Sequence, residues 1–220
     1  FSTDKKFIRN RVLRSKYLTG YIPKINSFSK YMYTYKMKEG KILSKIVDED
    51  LFRKFLLHSN QFWKKSNLSI REERAFIEIC KKFYYDKTFE RIKEFHKKFR
   101  VKDSEHIINN KRIPKLSLIL KKINWLNLFE GTPVRFHGDF HFENIIYEEK
   151  NSKFIFLDWR QDFGGLLKYG DIYYDLAKLL HGIIINHEII LKDQYSIKWN
   201  STNILFKIQQ RKNFKNLELL

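Results

Sequence analysis

Between Val134 and Gly182 the chain concentrates residues able to do chemistry. His137-Gly138-Asp139 is followed, after four residues, by Asn144. Asp158-Trp159 ends a short apolar run, and Gly170-Asp171 precedes Asp175-Leu176-Ala177. A carboxylate in a loop after a strand, as Asp139 would be, can accept the proton of an attacking hydroxyl and orient it. Asn144 offers a carbonyl oxygen to a hard cation. Asp158 offers a carboxylate to the same ion if the strands starting near Asn144 and Phe154 pair. A base beside the nucleophile, plus oxygen ligands for a Mg²⁺ that bridges nucleotide phosphates, is the set that phosphoryl transfer requires.

A competing chemistry is written in the same residues. His137, Asp139 and His141 alternate, and alternate residues of a strand share a face, so a divalent metal site of a hydrolase is geometrically open. It leaves Asn144, Asp158, Asp171 and Asp175 without a role. Asp171 reads as a helix cap, and Asp175, among apolar helical neighbours, as an internal hydrogen-bond acceptor. His141 is either a loop brace or a substrate contact, and Trp159 packs beneath Asp158.

The elements that must position these groups follow from periodicity and caps. Phe7, Ile8, Val12, Leu13 and Leu18 predict a helix from Lys5 to Leu18, with Gly20 as its stop. Tyr21 to Ile25 and Tyr31 to Met37 read as extended. A helix is expected from Asp48 to Trp63, with acidic residues in its first turn. The capping box Ser69-Ile70-Arg71-Glu72 opens another, running to about Tyr84. Further helices are expected from Lys87 to Phe99 and from Leu116 to Leu128, with Pro114 where a first turn tolerates it. From Pro133 the texture changes to short strands: Val134 to Phe136, Asn144 to Tyr147 and Phe154 to Leu157, with a turn at 149–152. Asp171 then caps a helix from Ile172 to about His187. The expected picture is a helical body with a small β-ribbon in its middle.

Taken together, His-Gly-Asp-x-x-x-x-Asn, Asp-Trp nineteen residues after Asp139, and Gly-Asp-x-x-x-Asp-Leu-Ala resemble the aminoglycoside-phosphotransferase and choline-kinase family. The likeness is strong from Arg135 to Gly182. It is weaker from Tyr21 to Leu43, where Ile22-Pro23 and Lys36-Met37-Lys38-Glu39-Gly40 are similar to the last small-lobe strands and the hinge. The resemblance implies an α+β, protein-kinase-like fold. Residues 1–47 would be a partial small lobe and hinge, and 48–220 a mainly helical large lobe with a short β-ribbon at the active site. It implies Asp139 as catalytic base, Asn144 and Asp158 as metal ligands, and His137 as a brace of the loop. Asp175 would tie that loop to the following helix, and the hinge backbone near Lys36 and Met37 would meet adenine. ATP and Mg²⁺, and a small-molecule hydroxyl acceptor, come with the same likeness.

Two stretches depart from that pattern. Arg160 and Gln161 follow Asp158-Trp159 where the family is usually acidic. Before Tyr21 there is neither a glycine-containing phosphate loop nor a strand Lys. The Lys5–Leu18 helix is similar to the one after that Lys, with Asn10 about where its Glu partner would stand. The start at Phe1, without an initiator Met, gives the expectation that the first part of the small lobe lies outside this segment.

Composition narrows the partners. Lys and Arg number 44 against 25 Asp and Glu, a net +19 that points to something anionic. The lysines are scattered through helical segments instead of forming one block, which argues for an anionic substrate over nucleic acid. Polycationic aminoglycosides want an acidic pocket, so a sugar or cell-surface glycan precursor is the expected acceptor, with choline behind it on the strength of the aromatics. The single cysteine, Cys80, excludes an internal disulfide and reads as a small buried hydrophobe of a cytoplasmic protein. No run approaches the ~18 apolar residues of a membrane span, and Phe1 to Lys6 lacks a secretory signal pattern. Two rivals remain. A non-catalytic, pseudokinase-like binding module is favoured by the missing phosphate loop and Lys. A basic nucleic-acid-binding protein is favoured by charge alone, and gives no account of Asp139, Asn144 and Asp158.

Overall fold

The computed structural model describes residues 1–185, 187–200, 202–214 and 217. Helix α1 (Lys5–Ser15) begins where the Asp4 carboxylate accepts the Lys6 and Phe7 amides. Strands β1 (Ile25–Phe28) and β2 (Tyr33–Tyr35) pair antiparallel as a hairpin. Strand β3 (Lys41–Ile42) and the single turn α2 (Leu43–Ile46) lead to α3 (Glu49–Phe62), capped by Asp48. The predicted capping box is formed, so α4 (Ile70–Lys81) opens with Ser69 and Glu72 each bonded to the other's backbone. A π-helical turn, Lys82–Asp86, joins α4 to α5 (Lys87–Phe99) without a break.

Strands β4 (His106–Ile108) and β5 (Lys111–Ile113) form a hairpin that periodicity had not suggested. Its two loop residues, Asn109 and Asn110, both take positive φ, 50° and 64°, the geometry that matches the twist of a two-residue hairpin. The single helix expected from Leu116 to Leu128 is two, α6 (Leu116–Lys121) and α7 (Trp125–Glu130). Asn124 accepts the Asn127 amide and so starts a new helix where the first would have continued. Strands β6 (Pro133–Val134), β7 (Ile145–Glu148), β8 (Lys153–Phe156) and β9 (Gly170–Asp171) follow. Asp171 caps α8 (Ile172–Ile184), and α9 (His187–Leu191), β10 (Tyr195–Trp199) and β11 (Asn203–Ile208) complete the named elements.

The result is a mixed α/β structure. The expected two-stranded ribbon gains β3, giving the order β3-β7-β8, while β6 pairs with β9. A four-stranded sheet of order β10-β11-β4-β5 adds strand content beyond the ribbon, with β11 parallel to β4. Among the described residues no helix is long and apolar enough to cross a membrane.

Two aromatic-rich cores flank one loop. Phe52, Phe55 and Phe62 of α3 pack with Phe140, Phe142, Phe154, Phe156 and Trp159. Phe76 and Cys80 of α4 pack with Val134, Phe136, Phe163 and Tyr169. Burying a phenylalanine stabilises by about 1.5–3 kcal/mol, so a loop that sends Phe136 into one core and Phe140 and Phe142 into the other is pinned on both sides. The polar residues between those anchors, His137 to His141, are thereby presented at the seam. Cys80 is buried, its thiol pushed up to about 12 by burial, in keeping with its reading as a small hydrophobe.

Candidate active site

The seam loop is held by its backbone. Asp175 of α8 is fully buried and accepts from the amides of His137 (2.7 Å) and Gly138 (2.6 Å). The Trp63 indole, which packs against both cores, gives Asp175 a third donor at 3.0 Å. Burial pushes this carboxyl up to about 6, and the three donors oppose that rise. Gly138 has φ +91°, and a Cβ there would lie 2.4 Å from Cβ of Arg160. Only glycine gives both the conformation and the room.

His137 is also buried. Its Nε2 lies 2.8 Å from the Leu157 carbonyl, and its Nδ1 is 3.3 Å from the Asp139 amide. With Nε2 donating and Nδ1 accepting, the neutral ring satisfies both contacts. Burial, aided by the nearby Arg14 cation, takes its pKa down to about 3.

Arg14 of α1 is the brace that the sequence reading missed. It is fully buried over the Phe136 ring (3.9 Å) and donates to the carbonyls of Phe136, His137, Arg160 and Leu167. Burial lowers its pKa to about 9, so it stays charged at neutral pH. One guanidinium thus ties the seam loop to the 160–167 segment. In sequence it is indistinguishable from the solvated lysines and arginines of the same helix.

At the front of the loop, the Asp139 carboxylate has two different sides. Oδ2 accepts Nδ2 of Asn144 at 3.1 Å and faces Nε2 of His141 at 3.4 Å. Oδ1 pairs with Nζ of Lys178 at 2.9 Å. Burial alone would raise this carboxyl; hydrogen bonds from His141 and Lys178 overcome it and hold Asp139 well below the usual carboxylate range. His141 lies between Asp139 and Glu143, its Nδ1 3.0 Å from Oε2 of Glu143. Burial would lower it, yet the two carboxylates lift it to about 9. Lys178 and Glu143 were not singled out in the sequence. Lys178 lies one helical turn beyond Asp175, so a shared face of α8 was the available signal.

Asn144 and Asp158 are brought together by β7 and β8. The Leu157 amide donates to the Asn144 carbonyl at 2.7 Å, just beyond the Ile145–Phe156 pair, so Asp158 follows directly on Asn144's partner. Asp158 sits at φ +53°, with its side chain 56% exposed and paired to the Arg11 guanidinium of α1. Arg11 also donates to the Tyr33 hydroxyl at 3.3 Å. Among the described residues no three His, Cys, Asp or Glu side chains converge as a cation site. Mg²⁺ does not require such a cage, since it keeps waters and shares one or two protein oxygens with phosphates. With Asn144 Nδ2 turned to Asp139, its amide oxygen and the Asp158 carboxylate are the donor set that would fit a cation shared with a nucleotide.

The predicted hinge residues lie apart. Lys36 and Met37 are exposed in the extended segment between β2 and β3, Met37 at 87%. Among the described residues no hydrogen bond ties either to the Asp139 cluster. Asp171 does cap α8, and it also accepts from the Thr132 amide and the Tyr84 hydroxyl.

Comparison with known proteins gives a family. No curated protein and no solved structure matches the chain. A family model described as a phosphotransferase enzyme family matches residues 86–200, which takes in the seam loop, the β7–β8 ribbon and α8. The chain belongs to this phosphotransferase enzyme family.

Proposed function

We propose that this protein transfers the γ-phosphoryl group of ATP, with Mg²⁺, to a hydroxyl of a small molecule, a sugar or glycan precursor suiting its basic surface best. The observation that carries the reading is the junction of Asp139 with Asn144 at the end of a ribbon whose other strand delivers Asp158. Asp139, kept ionised by Lys178 and His141, would accept the hydrogen bond of the acceptor hydroxyl and turn its lone pair toward the phosphorus. Asn144 and Asp158 would hold Mg²⁺, which when bound neutralises charge on the phosphates. Asp175, His137 and Arg14 would do no chemistry; they fix the loop so that Asp139 needs no reorganisation as charge develops. His141 would hold the second oxygen of Asp139 and stand within reach of the acceptor.

A second reading, a kinase-like binding module without turnover, is favoured by one observation: Arg11 puts a cation on the Asp158 carboxylate, where Mg²⁺ would sit. Calorimetry of Mg²⁺-dependent ATP binding separates the two, using the full-length protein, Asp158→Asn and Asp139→Ala. Binding that is lost in Asp158→Asn, with transfer reduced about a thousand-fold or more in a folded Asp139→Ala, is the expected outcome. Absence of nucleotide binding in the parent would sustain the binding module, and near-normal turnover in Asp139→Ala would remove the base assignment.

A further inference from the structure

The side of Asp139 that faces away from Asn144 is lined by cations. Lys178 touches Oδ1 of Asp139, and one turn before it on α8 the Tyr174 hydroxyl accepts from NH1 of Arg160 at 3.1 Å. The stem of Arg160 lies against Gly138, next to Asp139 in the chain. The Arg160 guanidinium and the Lys87 ammonium both stand over the Phe83 ring, at 5.3 and 4.5 Å. Arg91 follows Lys87 one turn along α5. Asp139 itself answers Lys178. Among the charges acting on Lys87 the opposing one is Asp162, whose carboxylate already accepts from Gly165 N and Asn10 Nδ2. Lys87 is lowered by burial first and then by Arg160, Arg91 and Lys178, which places these like charges close enough to repel.

Cations gathered against one another at an unpaired, half-exposed place raise the free energy of the empty protein and lower it when an anion arrives. Lys87, Arg91 and Arg160 repel one another there, and among the described charges that act on Lys87 the opposing one is Asp162, so positive charge prevails. A phosphate monoester, with close to two negative charges and several acceptor oxygens, answers that excess better than a carboxylate. Lys178, which borders the seat, meets Oδ1 of Asp139, whereas Asn144 meets Oδ2.

We propose that the acceptor carries a phosphate group besides its reacting hydroxyl, held by Lys87, Arg91 and Arg160 with Lys178 between that seat and Asp139. This rests on Asp139 being the group that meets the acceptor hydroxyl. Arg160 and Gln161, which depart from the acidic pattern of the resembling family, then have a reason: here the segment after Asp158-Trp159 faces an anion.

The first arm of the test needs no nucleotide. Binding of inorganic phosphate, and of glucose 6-phosphate against glucose, is measured by calorimetry on the full-length protein, then repeated with saturating Mg-ATP. Both phosphates are expected to bind, with glucose 6-phosphate about ten-fold or more tighter than glucose, and Mg-ATP should not displace them. Arg91→Gln, on an exposed side chain, should weaken phosphate binding several-fold while the melting temperature holds, and Lys87→Gln should weaken it as much in protein that remains folded. The proposal falls if neither phosphate binds, if both variants bind as the parent does, or if Mg-ATP displaces the anion, which would give these cations to the nucleotide. Because the anion is measured alone, a parent that binds phosphate but not Mg-ATP would overturn the phosphotransferase reading and leave the seat standing.

Discussion

The two carboxylates at this site are held in opposite ways. Asp139 is half-buried and touches Lys178, His141 and Asn144, on a loop whose amides and carbonyls are taken by Asp175 and Arg14. Asp158 is more than half exposed and pairs with a single guanidinium carried by a different element, α1. A group with many fixed neighbours keeps its geometry whether or not anything is bound. A group with a single side-chain partner takes its geometry from whatever replaces that partner. On the function proposed above, the acceptor side would be built by the fold, and the cation side would be completed by its occupant.

The hardest blow to the first half would be Arg14→Met. It takes the guanidinium away from four carbonyls, those of Phe136 and His137 buried and that of His137 left with the Arg160 amide alone, and a loss of about 3 kcal/mol or more is expected in urea unfolding. A loss below 1 kcal/mol would mean that Asp175 alone holds the loop. His137 gives a subtler measure of the same rigidity. Its folded pKa, about 3, lies below its unfolded value. The neutral ring therefore adds stability fully present above pH ~6.5, lost progressively as pH falls toward 3. His137→Asn keeps a donor and an acceptor but cannot titrate. Its stability should fall less steeply over that window, by up to about 1.4 kcal/mol per pH unit; parallel curves would place the proton elsewhere. The smallest effect belongs to the other half. Arg11→Gln should change stability by less than about 1 kcal/mol, yet lower the Mg²⁺ concentration needed for nucleotide binding, because the competing cation is gone. A higher Mg²⁺ requirement would instead make Arg11 part of the nucleotide seat.

Much of the frame was legible because it rests on local rules. The Ser69–Glu72 capping box, the acidic first turn of the helix expected from Asp48 to Trp63, the Asp171 cap and the Lys87–Phe99 helix each depend on neighbours in sequence, and each is realised. The β10-β11-β4-β5 sheet was not legible, since it joins strands nearly a hundred residues apart whose faces are largely exposed. Its one local sign was Asn109-Asn110 between Ile108 and Lys111. At the site, types and spacing pointed to Asp139, Asn144, Asp158 and Asp175, and the structure brings these near one loop and ribbon. Arg11, Arg14, Lys87 and Lys178 were not legible, because a cation on an amphipathic helix looks the same facing water or facing a carboxylate. Only tertiary contact distinguishes them.

The π-turn at Lys82–Asp86 carries a length tolerance. A wide turn spends one residue more than an α-helical turn over the same span. Deleting a single residue there would therefore restore an ordinary helix and leave α5 facing nearly as it does now. What would change is the turn itself, which carries Phe83, 4.4 Å from Phe163 and beneath Lys87 and Arg160. Relatives that differ by one residue in this stretch would keep both flanking helix faces and alter only the ring on which those two cations stand.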